Sequence, residues 1–241
     1  AEFFSRGKSV SPKRIPASDA LSCERGGHPH FMIKEIAEQP EAASLTIESV
    51  RGKRLRGEVL YLGCGSSYNA ALAAIPLTER QTGERAFAMT ASEFLFSEKL
   101  SGRGKTAVLL SQSGETADTV AAALQAKRRG YRTVCISNVA RSSLTRACER
   151  SVLTHAGPEI SVATTKGFTS QEAALAALYV GSNADEVRRL AFEIERALDC
   201  DGDAKAASEL FRPQGAAFFI GRRADCGVAF EGALKLREIT Y

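Results

Sequence analysis

A dense group of hydroxyl side chains follows one strongly apolar segment of the chain. The apolar residues TAVLL, at 106–110, run directly into the polar segment SQSGETADT, at 111–119. Its candidate ligand-binding residues are Ser111, Gln112, Ser113 and Thr116. One hydroxyl would suffice to cap a helix, whereas three hydroxyls and an amide exceed that need. Because the segment contains no Lys or Arg, it predicts a neutral cradle that holds a phosphate monoester through hydroxyl and amide groups.

A second polar turn lies nearer the N-terminus. The apolar run EVLYL, at 58–62, leads into GCGSSY, at 63–68. Tyr68 stands where a dinucleotide-binding fingerprint needs its third glycine, so that fingerprint is incomplete. Ser66 and Ser67 either cap the following helix or help to bind an anion at its N-terminus, and the residues alone favour the cap.

A third polar segment, GPEISVATTK at 157–166, follows the last predicted strand. Gly157 and Pro158 end that strand, and two threonines and Lys166 lead into the next helix. These hydroxyls and the single cation could close a sugar-phosphate site from the side opposite the first two turns.

Three charged residues near the C-terminus share one face of a predicted helix. Glu231, Lys235 and Glu238 are spaced i, i+4 and i+7. They are either a solvated salt bridge, worth about 0.3–0.5 kcal/mol, or part of a reaction centre. The spacing by itself favours the salt bridge.

Strands and helices alternate between these polar turns. Strands are predicted at 58–62, 86–89, 106–110, 132–136 and 151–155, and helices at 68–77, 116–129, 143–150, 168–180 and 185–198. This alternation predicts an α/β fold: a doubly wound, five-stranded parallel sheet, flavodoxin-like, with helices on both faces. Ligands of such sheets bind at the carboxyl ends of the strands, where the polar turns lie.

The ends of the chain have a different character. Residues 1–30 are punctuated by proline and serine and predict a linker or arm, while 31–200 hold the sheet and its flanking helices. Residues 201–241 begin a second unit, with a predicted strand at 215–220 and a helix at 228–239. One strand and one helix cannot bury a core, so this last piece is expected to be the incomplete start of another domain.

Composition excludes several classes of protein. The 241 residues are 44% hydrophobic and 25% charged, with a net charge of +4, which is too weak to indicate nucleic-acid binding. The longest apolar run, at 173–180, is less than half of the ~20 residues that a membrane span needs. The six cysteines occur singly, without a C-x-x-C pair, which argues against metal sites and disulfides and favours a reducing cytoplasm. No metal and no cofactor are expected.

Taken together, several segments resemble one enzyme family. SQSGETADT, AGPEISVATTK and CGSSYN are similar to the sugar isomerase (SIS) domain of the glutamine–fructose-6-phosphate aminotransferases. GGHPHFMIKEIAEQP, at 26–40, resembles the start of their isomerase half, and EGALKLRE, at 231–238, resembles the opening helix of their second SIS domain. The likeness extends from about residue 26 to residue 241.

The resemblance implies a role for each matching residue. The sugar phosphate would be held by Ser66, Ser67, Ser111, Gln112, Ser113 and Thr116. Val162, Ala163 and Thr164 would line the sugar chain, although many relatives have Ser in place of Thr164. Lys235 and Glu238 would be the catalytic residues, with the glutamate moving a proton between C1 and C2.

The implied reaction converts fructose 6-phosphate and glutamine to glucosamine 6-phosphate and glutamate, in a homodimer. Ala1 is not the cysteine nucleophile of the family's glutaminase domain, and the ring-opening histidine and Schiff-base lysine would follow Tyr241. The chain is therefore expected to be a fragment that binds sugar phosphate but is incomplete as an enzyme. Two alternatives remain: a stand-alone SIS isomerase or deaminase, and a non-catalytic sugar-phosphate sensor domain.

Overall fold

The computed structural model describes residues 4–5, 8–9, 24–50, 55, 57–98, 100–180, 184–211 and 215–240. The predicted arm at 1–30 lies mostly outside the described residues. Within it, β1 (Phe4–Ser5) pairs antiparallel with β2 (Lys8–Ser9). Tyr241, at the end of the chain, also lies outside the described residues.

A five-stranded, all-parallel sheet forms the centre of the molecule. Its strands are β3 (Val59–Gly63), β4 (Ala86–Thr90), β5 (Thr106–Leu110), β6 (Arg132–Ser137) and β7 (Arg150–Leu153). They lie side by side in the order β4-β3-β5-β6-β7, so the second strand of the sheet along the chain is at one edge and the first is beside it. This is the flavodoxin-like order, and it confirms the predicted fold class. β3 and β5 are buried at every residue, as strands covered on both faces must be.

Helices cover both faces of the sheet. They are α1 (Phe31–Ala37), α2 (Gln39–Val50), α3 (Ser66–Thr82), α4 (Ala91–Phe96), α5 (Ala117–Arg128), α6 (Ser143–Ala147), α7 (Lys166–Val180), α8 (Ala184–Leu198), α9 (Asp201–Phe211) and α10 (Ala224–Thr240). Alternate side chains of the strands divide the core in two. Tyr61 and Leu110 pack with α2, α3 and α7, whereas Leu62 and Leu109 pack with α4 and α5.

The predicted strand at 215–220 is wrong. Residues 216–220 form no strand, and Phe218 and Ile220 are 86% and 92% exposed. A strand needs a neighbour to pair its backbone groups, and none of the described ranges supplies one here. The helix that follows, α10, instead packs along α3.

In the part of the chain that the structure describes, every helix is too short or too polar to cross a lipid bilayer.

Candidate functional site

The turn after β5, residues 111–116, is held together by its own hydroxyls. We call it the β5 turn. The buried Ser111 Oγ accepts a hydrogen bond from the Gly114 N–H at 3.0 Å and lies 3.0 Å from Thr116 Oγ1. Ser113 Oγ accepts a hydrogen bond from the Glu115 N–H at 3.2 Å, and Ser113 is exposed. Ser111 therefore shapes the turn, while Ser113 is the hydroxyl that faces solvent.

Glycine is required at the centre of the β5 turn. Gly114 has φ +68°, and a Cβ there would lie 2.1 Å from the hydroxyl oxygen of Ser142. Its carbonyl accepts a hydrogen bond from the Leu144 N–H at 3.0 Å. The Ser143 N–H donates a second bond, to Glu115 Oε1 at 2.8 Å. Hydrogen bonding from the side chain of Ser143, and then from its backbone, lowers the pKa of Glu115. These contacts tie the turn to the start of α6 and fix its shape.

The N-terminus of α5 points into the same turn. Thr116 occupies the N-cap position, but its side chain makes no cap hydrogen bond. This helix has 12 residues, and its first N–H groups place a partial positive charge at the turn, although the turn contains no Lys or Arg. Gln112 lies beside them with its side chain partly exposed, so hydroxyl, amide and backbone donors meet at one strand end.

The turn after β3, residues 63–67, is the β3 turn. Gly65, with φ +53°, is the N-cap of α3 and has no side chain to cap it, so the predicted capping role of Ser66 or Ser67 is wrong. Both serines instead accept hydrogen bonds from side chains of other helices. Ser67 Oγ accepts a hydrogen bond from Gln171 Nε2 on α7 at 3.0 Å, and Ser66 Oγ accepts one from Lys235 Nζ on α10 at 3.1 Å.

The charged face of α10 is directed at the β3 turn. Lys235 Nζ lies 2.6 Å from Glu238 Oε2 and 3.4 Å from Glu231 Oε1. Glu231 is buried and accepts a hydrogen bond from Asn69 Nδ2 at 2.8 Å. The ion pairs exist, but they are joined to α3 and partly buried, unlike the solvated salt bridge that the spacing favours. The structure thus brings Lys235 and Glu238 to the β3 turn.

A further carboxyl group, that of Glu172 on α7, lies behind this cluster. Burial raises the pKa of Glu172 to about 8, and the nearby Glu231 carboxylate adds to the rise. Among the described residues, Oε1 of Glu172 and Oε1 of Glu231 accept no hydrogen bond, although Lys235 Nζ lies 3.4 Å from Glu231 Oε1.

The third polar segment, residues 157–165, forms a loop that we call the β7 loop. Val162 is 87% exposed, whereas Ala163 is buried. The Thr164 hydroxyl donates to Glu159 Oε2 within the same loop, at 2.8 Å. Lys166 does not supply the predicted cation, because its buried Nζ is paired with Glu38 Oε2 at 2.6 Å.

Short contacts link the β3 turn to the first turn of α5, and the β5 turn to the β7 loop. Cys64 Sγ, in the β3 turn, lies 3.9 Å from Thr119 Oγ1 in the first turn of α5. The Asn138 N–H donates to the carbonyl of Gln112 at 3.0 Å, and its Nδ2 donates to the carbonyl of Gly157 at 2.8 Å. β3 and β5 are also the strands between which the chain order reverses, where ligands of open α/β sheets bind.

Comparison with known proteins identifies this arrangement. The family model of the SIS domain matches residues 56–181, which is more than half of the chain. The chain belongs to the SIS domain family. The matched residues include the sheet and both the β3 and β5 turns.

Individual relatives extend the SIS match toward the C-terminus. Glutamine–fructose-6-phosphate aminotransferase of Pseudomonas aeruginosa is 38% identical over 92% of this chain, which spans 41% of that protein. The solved C-terminal domain of glucosamine–fructose-6-phosphate aminotransferase from Francisella tularensis is 34% identical, with a TM-score of 0.80 over 90% of this chain and 69% of that one. Glucosamine-6-phosphate deaminase of Thermotoga maritima is 26% identical, with a TM-score of 0.68 over 85% and 66% of the two chains. The resemblance to the aminotransferases is confirmed.

Sequence reasoning missed four polar residues of this SIS site. They are Asn69, Asn138, Gln171 and Glu172. Gln171 and Glu172 directly precede the apolar run at 173–180, and a polar pair at the edge of a buried helical segment is a signal that could have found them. The two asparagines carry no such signal, since their partners lie far away in the sequence.

Proposed function

We propose that this chain is the sugar-phosphate-binding isomerase portion of a glutamine–fructose-6-phosphate aminotransferase. The observation that supports it most directly is the hydrogen bond from Lys235 Nζ to Ser66 Oγ. This bond joins the helix that bears Glu238 to a hydroxyl turn at the carboxyl edge of the sheet. The proposed catalytic carboxylate and a proposed substrate-binding turn would thus lie next to each other.

The β5 turn would bind the phosphate group. Ser113, Thr116 and the side chain of Gln112 offer hydrogen bonds, and the N-terminus of α5 favours the negative charge. Ser111 would act by keeping the turn in shape, because its hydroxyl already binds the Gly114 N–H. Ser67 would complete the site from the β3 turn.

Glu238 would act as the general base. In the open-chain iminium form of fructose 6-phosphate, its carboxylate removes a proton from C1, which leaves a neutral enolamine. The same proton is returned to C2 while the C1 hydroxyl gives up its own proton to water, and the aldehyde of glucosamine 6-phosphate results. Lys235 Nζ, 2.6 Å from Glu238 Oε2, would hold this carboxylate in place beside the β3 turn. Val162, Ala163 and Thr164 would line the sugar chain.

The wider organisation is also a proposal. Residues 201–241 would begin a second SIS domain, since Gly221 and α10 repeat the geometry of Gly63 and α3. A Cβ at Gly63 would meet the carbonyl carbon of Ser67 at 2.9 Å, and one at Gly221 would meet the carbonyl oxygen of Asp225 at 2.1 Å. Both glycines precede a helix by the same interval. We further propose a homodimer that works in the cytoplasm, needs no metal or cofactor, and binds neither nucleic acid nor membrane.

Titration of the chain with glucosamine 6-phosphate, followed by thermal unfolding, tests the proposed binding. We expect the midpoint of unfolding to rise with ligand concentration. An unchanged midpoint at millimolar ligand would overturn the proposal.

A glucosamine-6-phosphate deaminase is the second candidate, favoured by the likeness to the Thermotoga maritima enzyme. Release of ammonia from glucosamine 6-phosphate separates it from the aminotransferase. Steady release by the chain itself would favour the deaminase, whereas binding without ammonia release would favour the first proposal.

A further inference from the structure

The segment KEIAEQP, at 34–40, belongs to one of the stretches that resemble the aminotransferases, yet the proposed reaction assigns it no role. In the structure it covers the end of α1 and the start of α2. Three of its polar side chains contact the β7 loop or the beginning of α7.

Glu35 makes the most extensive of these contacts. Its side chain is 2% exposed. Oε1 accepts hydrogen bonds from the N–H groups of Ile160 and Ser161, the second at 3.1 Å, and Oε2 accepts one from the Ser161 hydroxyl. Two carboxylate oxygens thus receive three donors from one short stretch of the β7 loop. A buried carboxylate with this many donors is held in one orientation, and it holds the loop in turn.

Glu38 and Gln39 continue the same face of the helices. Glu38 Oε2 accepts from Lys166 Nζ at 2.6 Å, and Gln39 Oε1 accepts from the Thr169 hydroxyl. Residues spaced i, i+3 and i+4 lie together on a helix surface, which explains why one short motif reaches one loop and the helix after it.

The other half of the β7 loop is held by its own carboxylate. Glu159 accepts hydrogen bonds from the Thr164 hydroxyl at 2.8 Å and from the N–H groups of Thr165 and Gly167 at 2.9 and 3.0 Å. The loop is therefore fixed on both sides of Val162, whose side chain remains 87% exposed.

We propose that Glu35 is a positioning residue for sugar recognition: its buried carboxylate fixes the β7 loop so that Val162 meets the carbon chain of the bound sugar phosphate. The inference rests on the proposed function, because it needs the sugar phosphate to occupy the β3 and β5 turns. Glu35 would affect contacts with the sugar and leave those with the phosphate unaffected, since its hydrogen bonds go to residues 160 and 161. The link between the β7 loop and the β5 turn is made separately, by Asn138 at Gly157.

Two ligands separate an effect on sugar recognition from an effect on phosphate binding. Glucosamine 6-phosphate carries a sugar and a phosphate monoester, whereas propyl phosphate carries the phosphate monoester and no sugar. We would measure the dissociation constant of each by NMR titration of the chain and of Glu35→Gln, in which an amide N–H₂ replaces one accepting oxygen. Ser161→Ala removes the hydroxyl donor from the other side, and Glu48→Gln, at an exposed position on α2, is the matched control.

We expect Glu35→Gln to weaken glucosamine 6-phosphate binding by about tenfold and to change propyl phosphate binding less than about twofold. Ser161→Ala should act in the same direction by a smaller factor, and Glu48→Gln should match the parent chain. If Glu35→Gln fails to fold, Ser161→Ala decides. Equal weakening of both ligands, or no change in either, overturns the positioning role. Failure of the parent chain to bind either ligand would instead refute the proposed function.

Discussion

Replacing Glu172 by glutamine is expected to change how the stability of the protein depends on pH. The pKa of this buried carboxyl group is raised from an ordinary value of 4.5 to about 8, mainly by burial and further by the Glu231 carboxylate. Lys235 offsets part of that charge from α10, 3.4 Å from Glu231, and Asn69 offers an amide from α3. Burial and the Glu231 carboxylate outweigh this offset, so Glu172 is held in its neutral form at neutral pH.

The direction in which the free energy of unfolding changes with pH follows from proton binding. Between pH 4.5 and about 8 the folded protein holds a proton on Glu172 that the unfolded chain has lost. Folding is thus favoured by low pH, and the free energy of unfolding falls as pH rises through this window. Each pKa unit corresponds to about 1.4 kcal/mol, so the shift sets a ceiling of about 5 kcal/mol. An amide at this position would be neutral throughout, so the Glu172→Gln variant would not lose this stability.

Urea unfolding at pH 5 and at pH 8.5 measures the difference. The quantity compared is the free energy of unfolding of Glu172→Gln minus that of the parent chain. We expect this difference to be about 2–5 kcal/mol larger at pH 8.5 than at pH 5. Glu48→Gln, at an exposed site, should keep the pH dependence of the parent. Parallel pH dependences for Glu172→Gln and the parent chain would refute a raised pKa at this position.

Three other substitutions test the site. Gly114→Ala should lower the free energy of unfolding by about 2 kcal/mol or more, because the left-handed backbone and the Ser142 hydroxyl exclude a Cβ; unchanged urea unfolding would contradict this. Ser113→Ala should weaken glucosamine 6-phosphate binding by about 1–3 kcal/mol in calorimetry, and parent-like affinity would remove Ser113 from the phosphate cradle. In the proposed full-length aminotransferase, Glu238→Gln should abolish glucosamine 6-phosphate formation while glutamine hydrolysis remains measurable; continued formation would exclude Glu238 as the base.

The sheet could be predicted because its signals are local. Buried parallel strands appear as short apolar runs, and the runs that become β3 and β5 end in turns rich in glycine and hydroxyls. TAVLL at 106–110 matches β5 at both ends. The run GAAFFI at 215–220 carries a similar signal, yet it pairs with no described strand, because pairing depends on a neighbour that local composition does not report.

The site was predictable only where residue type and position coincide. Ser113 and Thr116 follow the carboxyl end of a parallel strand, where ligands of such sheets bind. Their hydroxyls can therefore be recognised as candidate ligand-binding groups from the sequence. The residues alone favour a capping role for Ser66 and Ser67, because the sequence does not show that Lys235 and Gln171, more than a hundred residues away, reach them. The sequence likewise predicts that Lys166 supplies a cation to the sugar-phosphate site. The local sequence does not show its ion pair with Glu38, because that pair is a long-range contact.

Titration of the isotope-labelled chain with glucosamine 6-phosphate, followed through backbone amide chemical shifts, most directly tests whether sugar phosphate binds at the carboxyl ends of β3 and β5. The predicted result is that the largest shifts fall on residues 63–67 and 111–116, with smaller ones along α10. No saturable shifts, or shifts confined to surfaces away from both turns, would contradict binding at this edge of the sheet.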